Sequence, residues 1–535
     1  MINTKARIGE ILKNSGVITA EEHSFCVDLS RQIKNKRFGE IVSAQGFATE
    51  RDIARELAQQ VGFPFFTGEY IPDLAAVETA GLDFLKRKKI FPARHQGRTR
   101  FVLAFIDDVE ATDVLKVKCR AADFCVGEGQ KIIAALERLE SPLTAPFTAP
   151  ERDDGAELLR KLLNRAIQKK ASDIHIEPTE EVIQFRFRLD GVLVFELSLD
   201  KAYGPRIANI IFSKAEIDTS AFNKFHDGRF SHAYLGRDID VRVSHIPTIY
   251  GSSIVLRLLD KAKFDFTLAD LGWHPEQLKK IQQSLRRPDG IILLTGPTGC
   301  GKTTTLYAIL HDTKSLAKKI ITVEDPVEYV MPLVTQVQIN KKQGVDYHNA
   351  ARSILRSNPE IILIGEIRDP ETANQAMKAA ITGHKVYSTL HTITPFDALI
   401  RLQDLGVATS YLANSLECVI AQRLVRTLCP RCAEDVRVSQ LDCEDFARAY
   451  IPSDVERIRV SRGCGNCVSG YQGRRLIAEV LVLDERLKML LNRGDIAAIF
   501  ESLRGNSRYV TFKDDILRLI REGQTDYQEA VRVLG

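Results

Sequence analysis

The sequence predicts a multidomain α/β protein, and three observations support this prediction. Short apolar runs such as "IILL" (291–294) and "EIILIGEI" (360–367) have the length and composition of buried strands. From Leu271 onward such runs alternate with helical segments, a pattern typical of a parallel sheet with crossover helices. A chain of 535 residues is too long for one core, and about 150 residues per domain would give roughly three or four domains.

Composition and charge exclude several classes of protein. The chain has 74 basic and 70 acidic residues, and a net charge of +4 gives no argument for general binding to nucleic acid. No apolar run approaches the roughly 18 residues that span a bilayer, and the start, "MINTKARIGE", lacks the apolar segment of a secretory signal. We therefore expect a cytoplasmic protein that has no nucleic-acid partner and that associates with a membrane only peripherally, through other proteins.

The first 140 residues contain an internal repeat. The segments "ARIGEILKNSGVIT" (6–19) and "KRFGEIVSAQGFAT" (36–49) match at an offset of 30 residues, so that Arg7 corresponds to Arg37. Each copy predicts a short amphipathic helix, a glycine stop, and a threonine that begins the next helix. The repeat indicates a mainly helical N-terminal domain over residues 1–140, either as duplicated helical packing or as a ligand site that uses the two arginines.

Composition also divides the rest of the chain. The proline- and threonine-rich stretch at 141–156 predicts an extended linker. A helical segment and several alternating strands then predict a small α/β domain over residues 157–262. A second hinge near 261–272 leads into the alternating strands and helices, which we assign to a domain at 268–428 and a C-terminal region at 429–535.

The stretch "IILLTGPTGCGKTTTLYAIL" carries a phosphate-binding P-loop in the context that this motif requires, after an apolar strand and before a helix. The glycines allow backbone N–H groups to surround phosphates, and the helix N-terminus favours an anion. Lys302 is expected to reach the outer phosphates of ATP, and the Thr303 hydroxyl to ligate Mg²⁺. The predicted nucleotide-binding residues are Gly296, Pro297, Thr298, Gly299, Cys300, Gly301, Lys302, Thr303 and Thr304.

Three later strands end in groups suited to phosphate chemistry. Glu324 ends the strand in "IITVEDPVEYV", where a carboxylate could order water or a metal. Glu366 ends a strand that resembles a Walker B strand, although Gly365 stands where a common P-loop enzyme has aspartate. His391 ends a third buried strand and is predicted to sense the γ-phosphate. The alternative for each is an ordinary role, as a solvated acidic strand end or a structural histidine.

Two Cys-x-x-Cys pairs, Cys429/Cys432 and Cys464/Cys467, predict a metal site. Paired knuckles at this separation are typical of a tetrahedral Cys₄ zinc site with no open coordination position, and therefore of a structural metal. A redox role is the alternative, and the presence of two pairs argues against it.

These motifs, in this order, resemble the secretion ATPases of type II secretion and type IV pilus assembly, the GspE/PilB family. The resemblance covers nearly all of residues 155–535 and rests on "ASDIHIEP", "GPTGCGKTTTLYA", "TVEDPVEY", "GEIRDPETA", "TGHKVYSTLHT", "AQRLVRTLCPRC" and "GYQGRRLIAEVL". It implies a RecA-like P-loop ATPase domain preceded by a small PAS-like domain, and a protein that works as a homohexamer.

The resemblance also implies roles for individual residues. Arg242 and Arg257 match family arginines that reach a bound nucleotide's phosphates across the subunit contact. Glu324 matches the Asp-box carboxylate, Glu366 the Walker B carboxylate, and His391 the His-box residue. Two further arginines, Arg352 and Arg356, are expected to line the subunit contact.

The N-terminal repeat resembles the cyclic di-GMP-binding domain of some pilus ATPases, which is built from two tandem "RLG" motifs. Arg7 and Arg37 match the motif arginines, with "RIG" and "RFG" in place of "RLG". The alternative is a GspE/MshE-like docking domain for the inner-membrane platform protein or its cytoplasmic adaptor.

We therefore predict an ATPase that uses ATP, Mg²⁺ and Zn²⁺ to assemble a type IV pilus or a secretion pseudopilus at the inner membrane. The alternatives are a nucleotide- and cyclic di-GMP-responsive scaffold of the same machinery, or a retraction or conjugative pilus motor. The sequence does not distinguish among the fibres that such proteins build.

Overall fold

A computed structural model of the chain describes residues 8–33, 36–68, 70–95, 98–104, 109–119, 123–140, 155–218, 222–234, 237–260, 266–340, 343–441, 443–465, 467–504, 506 and 508–535. The chain divides into two units, Met1–Pro146 and Phe147–Gly535. The division falls within the stretch predicted as a linker at 141–156.

The repeat of the first unit forms two matched pairs of helices. They are α1 (Ile8–Asn14), α2 (Ala20–Gln32), α3 (Phe38–Ala44) and α4 (Glu50–Val61). The hydroxyls of Thr19 and Thr49 cap α2 and α4 by accepting the backbone N–H of Glu22 and Asp52, and both caps are complete capping boxes. The predicted threonine starts are therefore confirmed, and the helices begin 30 residues apart because their caps do.

A small sheet follows the paired helices in the same unit. Its elements are α5 (Leu74–Ala80), α6 (Leu82–Lys88), β1 (Ile90–His95), β2 (Arg98–Leu103), α7 (Val109–Lys118), β3 (Asp123–Val126) and α8 (Gly129–Glu140). Strand β2 lies between β1, with which it is antiparallel, and β3, with which it is parallel. The prediction of a mainly helical domain missed this sheet, whose strands are four to six residues long and give little periodic signal.

The second unit begins with a six-stranded antiparallel sheet covered by two helices. Its elements are α9 (Gly155–Gln168), β4 (Asp173–Pro178), β5 (Val182–Leu189), β6 (Val192–Asp200), α10 (Tyr203–Lys214), β7 (His226–Tyr234), β8 (Arg237–Thr248) and β9 (Gly251–Asp260). The strand order is β6-β5-β4-β9-β8-β7. Apolar residues of the two helices, such as Leu162 and Ile211, share a core with Phe185 and Leu256 from the strands. This small α/β domain agrees with the elements predicted from residue 157 onward, and its likeness to a PAS domain stays a prediction.

A seven-stranded sheet forms the larger part of the second unit. Its first half contains α11 (Pro275–Leu285), β10 (Gly290–Thr295), α12 (Lys302–Thr313), β11 (Ile320–Glu324), β12 (Val334–Gln338), α13 (Tyr347–Ile354), β13 (Ile361–Ile364) and α14 (Pro370–Ile381). The second half contains β14 (Lys385–Leu390), α15 (Pro395–Asp404), α16 (Thr409–Ser415) and β15 (Leu416–Leu428), then an insertion with β16 (Glu434–Arg437), α17 (Asp445–Arg448) and β17 (Arg457–Val460), and finally β18 (Tyr471–Val482). Strands β16 and β17 pair only with each other, in a separate two-stranded antiparallel sheet. Four helices end the chain: α18 (Glu485–Asn492), α19 (Ile496–Leu503), α20 (Phe512–Arg521) and α21 (Tyr527–Leu534).

The strand order of this sheet is β12-β11-β13-β14-β10-β15-β18. All neighbouring pairs are parallel except the last, in which β18 runs antiparallel to β15. Helices α11 and α12 pack on one face, whereas α13 to α16, α18 and α19 pack on the other. The predicted parallel sheet is confirmed, but it extends across the boundary that the sequence analysis places between residues 428 and 429, because β18 completes it.

Within the described part of the chain, no helix combines the length and the apolar character needed to cross a bilayer.

A buried ion pair fixes the last helix to the sheet. Glu529 of α21 is fully buried and accepts hydrogen bonds from the guanidinium of Arg426 in β15, at 2.9 Å from Nε, and from the Arg426 backbone N–H at 2.8 Å. The Arg426 guanidinium also lies 4.0 Å from the centre of the Tyr471 ring. Breaking such a pair from one side leaves a buried charge without a partner, which is costly.

We expect Glu529→Ala to destabilise the protein by about 3–5 kcal/mol, because the Arg426 charge would stay buried without its carboxylate. The measurement is the midpoint of thermal and urea unfolding. The matched control is Glu501→Ala, which removes an exposed carboxylate 3.7 Å from Arg504 and should change stability by less than about 1 kcal/mol. Equally small shifts of the unfolding midpoint in both variants would contradict a stabilising role for the Glu529–Arg426 pair.

Candidate functional site

The P-loop connects a fully buried strand to a helix. Every residue of β10 is buried, and α12 begins at Lys302 immediately after the loop. Gly296, Gly299 and Gly301 have φ values of 143°, 80° and 91°, a region that favours glycine. The first N–H groups of a helix have no intrahelical acceptor, so the start of α12 is suited to an anion.

Gly296 is needed for a second reason, which is the close approach of a neighbouring strand. A Cβ atom at this position would lie 2.5 Å from the backbone oxygen of Gln422 in β15, a separation that atoms do not adopt. Strand β15 pairs with β10 as far as Thr295 and Ala421, and it continues along the side of the loop. The loop is therefore held against this strand by backbone contact.

The Lys302 ammonium lies over its own loop, 2.6 Å from the carbonyl oxygen of Gly296 and 3.2 Å from that of Pro297. No carboxylate among the described residues forms an ion pair with it. Burial lowers the pKa of Lys302, and the negative charge of Glu366 acts against that shift. Pro297, Thr298, Gly299 and Thr303 are exposed around it. A phosphate anion therefore has access to this positive charge.

Glu366 and His391 lie together beside the P-loop domain's central strands. His391 Nε2 is 3.4 Å from one carboxylate oxygen of Glu366, and Arg368 pairs with the other. These three residues line a cavity of about 480 Å³ together with Ile367, Leu390 and Arg401. The His391 side chain is 54% exposed, whereas that of Glu366 is 11% exposed, so the carboxylate is the fixed group and the imidazole the accessible one.

Gly365 has a packing reason to lack a side chain. A Cβ atom there would lie 2.9 Å from the Tyr347 hydroxyl and 3.1 Å from the carbonyl oxygen of Val323. The Gly365 N–H also donates to that carbonyl, at 2.8 Å. A side chain at this position would be crowded by the Tyr347 hydroxyl and by β11, which fits glycine here and leaves Glu366 as the acidic side chain at the end of β13.

Glu324 lies in a buried hydrogen-bond network. It is 5% exposed and accepts hydrogen bonds from the hydroxyls of Tyr307 and Thr322, both at 2.6 Å, and from the Gln336 amide at 3.2 Å. Burial raises the pKa of the Tyr307 hydroxyl, and the charge of Glu324 raises it further. This carboxylate is therefore well supplied with donors from the protein itself.

Glu328, four residues later, has a different environment. Its carboxylate lies 3.1 Å from Nη2 and 3.3 Å from Nη1 of Arg242, which belongs to strand β8 of the six-stranded sheet. The contact joins the two sheets of the second unit. The sequence pattern predicted a role for Glu324 alone; Glu328 lies just beyond the same strand, and the two carboxylates differ in their burial.

The two predicted arginines are cross-strand neighbours. Arg242 of β8 is paired in register with Arg257 of β9 on one side and with Arg229 of β7 on the other. Arg257 bonds to Asp173 through Nε at 2.9 Å, and its side chain is 59% exposed. Arg229, which the sequence analysis did not select, is exposed. Cross-strand register was the missing signal, because the sequence alone does not show that Arg229 is paired with Arg242. Two arginines expected at a subunit contact, Arg352 and Arg356, are exposed as well.

The four knuckle cysteines form one cluster. The sulfur atoms of Cys429, Cys432, Cys464 and Cys467 all lie within 4.8 Å of one another. Neighbouring sulfurs are 3.9 Å apart for Cys429 and Cys464 and 3.7 Å apart for Cys432 and Cys467. A tetrahedral metal with bonds of about 2.3 Å to sulfur places its ligands about 3.8 Å apart, so the cluster has the size that such an ion requires.

Of the two repeat arginines, Arg37 is exposed and precedes α3, where its backbone N–H donates to the Glu40 carboxylate at 2.9 Å. Arg7 lies outside the described residues.

Comparison with known proteins gives the family of the chain. The model of the type II/IV secretion system protein family matches residues 151–532. Type II secretion system protein E of Klebsiella pneumoniae is 40% identical over 377 residues, which cover 70% of this chain and 75% of that protein. The protein of the same name from Xanthomonas campestris pv. campestris is 34% identical over 524 residues, 91% of each chain.

A solved structure shares the fold. The X-ray structure of the Legionella pneumophila ATPase DotB aligns with a TM-score of 0.55 and 23% identity, covering 72% of this chain and 98% of that chain. The family model and the relatives together confirm the resemblance drawn from the motifs. The chain belongs to the type II/IV secretion system protein family and is a secretion ATPase of the GspE/PilB type.

Proposed function

We propose that this chain works as a cytoplasmic homohexamer that couples ATP hydrolysis to the assembly of a pseudopilus or pilus at the inner membrane. The relatives named type II secretion system protein E favour the secretion pseudopilus over the type IV pilus. The observation that carries the proposal is the contact between Arg242 and Glu328, because it connects the six-stranded domain to the nucleotide-binding sheet.

The P-loop residues supply the ATP site. Backbone N–H groups from Gly299 to Thr304 would surround the phosphates, and Lys302 would exchange its two carbonyl partners for phosphate oxygens. The Thr303 hydroxyl at the start of α12 is the P-loop group that would ligate Mg²⁺, which supplies charge neutralisation to the phosphates when bound. Its exposure fits that role.

Glu366, His391 and Glu328 are the candidates for the chemical step. Glu366 is held by Arg368 and His391, so it can accept a proton from, or orient, an attacking water. His391 is exposed and can contact the terminal phosphate. Glu328 is a better candidate than Glu324 for a second catalytic carboxylate, because the three donors to Glu324 leave it little capacity for water.

Arginines provide the coupling between hydrolysis and movement. A terminal phosphate attracts guanidinium groups in bidentate geometry, and that attraction ends when the phosphate leaves. Arg242 is pre-oriented by Glu328, while Arg257 and Arg229 extend the same row of the sheet toward solvent. In a ring, this row would contact the nucleotide of an adjoining subunit, so the site is completed by a neighbour and closure passes from subunit to subunit.

Partners follow from the family. We propose peripheral association with the inner membrane through a platform protein and a cytoplasmic adaptor, with no nucleic-acid partner. The alternatives from the sequence stay open: a nucleotide- and cyclic di-GMP-responsive scaffold that does not turn over ATP during assembly, or a retraction or conjugative motor. Cyclic di-GMP binding by Arg7 and Arg37 stays a prediction.

We propose that the Cys₄ cluster holds a structural Zn²⁺. Four thiolates within 4.8 Å of one another fit a closed tetrahedral site with no position for a substrate. When bound, the ion would link the segment after β15 to the segment before β18. In the sequence these two segments are separated by a long insertion.

The test of the proposed function compares Lys302→Ala with Glu366→Gln. We expect Lys302→Ala to abolish nucleotide binding and ATP hydrolysis, and Glu366→Gln to abolish hydrolysis while ATP binding persists. The measurements are phosphate release, binding of a fluorescent ATP analogue, and secretion or fibre formation in cells that depend on the variant. If either hydrolysis-deficient variant restored assembly, the motor would be excluded and the scaffold favoured; phosphate release by Lys302→Ala would exclude this P-loop as the site.

The two carboxylates near the end of β11 can be separated by matched amide variants. We expect Glu328→Gln to lower kcat by on the order of a hundredfold or more with little change in thermal stability, since the carboxylate is partly exposed. Glu324→Gln should mainly destabilise the protein, by about 1–3 kcal/mol, because it disturbs a buried hydrogen-bond network. The measurements are kcat and the unfolding midpoint. If Glu324→Gln lowered kcat and Glu328→Gln lowered the unfolding midpoint, the catalytic role would belong to Glu324.

Zinc binding is tested by Cys464→Ser. We expect the wild-type protein to contain one zinc ion per chain and the variant to lose it, with a lower unfolding midpoint for the C-terminal region. Metal content by plasma mass spectrometry is the measurement, and Cys443→Ser, which changes a cysteine outside the cluster, is the control. Unchanged zinc content in Cys464→Ser would refute the site.

A further inference from the structure

The dipeptide Gln422-Arg423, near the middle of β15, borders the P-loop without being part of it. Gln422 is fully buried, and its side-chain amide donates to the carbonyl oxygen of Cys300 at 2.7 Å. The backbone oxygen of Gln422 is the atom that approaches Gly296. One residue of β15 therefore contacts the loop at two points, at its first glycine and at Cys300.

Arg423 joins this edge of the loop to a second functional segment. Its Nη1 donates to the Gln422 carbonyl oxygen at 2.9 Å, and its Nη2 donates to the carbonyl oxygen of Ile393, also at 2.9 Å. Ile393 is two residues after His391. One planar guanidinium thus spans the space between the phosphate-binding loop and the segment that carries the exposed histidine.

The environment of Arg423 is unusual for an arginine. No carboxylate of the described residues forms an ion pair with it, and its guanidinium lies 4.9 Å from the centre of the Phe512 ring at the start of α20. Burial lowers the pKa of Arg423, and the more distant carboxylates of Glu479 and Asp397 act in the opposite direction. The charge is partly desolvated beside a site that receives a polyanion, and its hydrogen-bond partners in the protein are carbonyl oxygens.

A second hydrogen bond, between Thr392 and Thr295, also holds the 391–394 segment. The Thr392 N–H donates to the hydroxyl of Thr295, the last residue of β10, at 2.9 Å. That bond fixes the start of the 391–394 segment to the strand before the P-loop. The bond from Arg423 to Ile393 fixes the next residue, so the two bonds together determine the path of the backbone that carries His391.

We propose that Arg423 is a positioning residue for ATP hydrolysis: its guanidinium holds the 391–394 segment in register with the P-loop, and Phe512 holds the guanidinium in place. The inference rests on hydrolysis at this P-loop and is independent of which fibre the protein builds. Through Phe512, the C-terminal helix α20 contacts the residue that positions the 391–394 segment.

The geometry requires arginine rather than any cation. A guanidinium presents donors in a fixed planar fork that reaches two separated carbonyl oxygens, whereas a lysine ammonium is a point charge on a flexible stem. Lysine at 423 would keep the positive charge near the phosphates and lose the bridge. Binding of ATP should then persist while the geometry around His391 loosens, and a misplacement of about 1 Å can cost a hundredfold in rate.

The experiment compares Arg423→Lys with Gln422→Ala in the full chain. We expect Arg423→Lys to lower kcat by about tenfold or more, with the dissociation constant for a fluorescent ATP analogue changed less than about twofold. Gln422→Ala, which releases the Cys300 carbonyl and so the loop itself, should instead weaken ATP-analogue binding. The matched control is Arg486→Lys, at an exposed arginine of α18, which should leave both quantities unchanged.

Phe512→Leu is a second test of the position of the Arg423 guanidinium. It retains an apolar residue at the start of α20 but removes the ring beside the guanidinium, and we expect it to lower kcat in the same direction by a smaller factor. Wild-type kcat in Arg423→Lys would overturn the proposal. So would equal losses of kcat and nucleotide affinity, which would indicate general damage to the loop. If ATP were hydrolysed at a site other than this P-loop, Lys302→Ala would keep its activity. That result would overturn the proposed function and is distinct from a wild-type kcat in Arg423→Lys.

Discussion

The structure depends on the parallel arrangement of strands β10, β11, β13 and β14, because parallel strands end at the same edge of a sheet. In register, Thr295 of β10 pairs with Leu390 of β14, and Val323 of β11 pairs with Ile364 of β13. The P-loop, Glu366 and His391 each follow one of these ends, so residues that are up to about a hundred positions apart in the chain face one another. The anion site at the start of α12 lies at that same edge.

Charge at this edge is organised by burial. Lys302 has carbonyl partners and no carboxylate among the described residues, so its charge remains available to phosphate. Glu324 accepts hydrogen bonds from three donors of the protein, whereas Glu366 and Glu328 are each paired with an arginine. Carboxylates that look alike in the sequence therefore differ in how many hydrogen-bond donors the protein already gives them.

The C-terminal region is part of the nucleotide domain rather than an addition to it. Strand β18 closes the sheet beside β15, α20 places Phe512 against Arg423, and α21 is fixed through Glu529. The cysteine cluster joins the two ends of the insertion between those strands. Events at the phosphate-binding loop and the position of the C-terminal helices are consequently connected through β15, which contacts the loop through Gln422, ends next to Cys429 and bonds to the last helix through Arg426.

The sequence by itself determined the elements whose signal is local. The glycine spacing of the P-loop, the threonine caps of α2 and α4, the parallel αβ pattern and the cysteine pairs are each defined within a short stretch, because backbone conformation, capping and ligand spacing act between near neighbours. The three-stranded sheet of the first unit was not predicted, because its strands are too short to show an alternation of apolar and polar residues. Only the tertiary structure decided that Glu324 is enclosed while Glu328 meets Arg242, that Arg229 lies beside Arg242, and that Arg423 spans the loop and the Ile393 carbonyl. These outcomes depend on strand register, burial and contacts across long sequence separations, none of which a local pattern records.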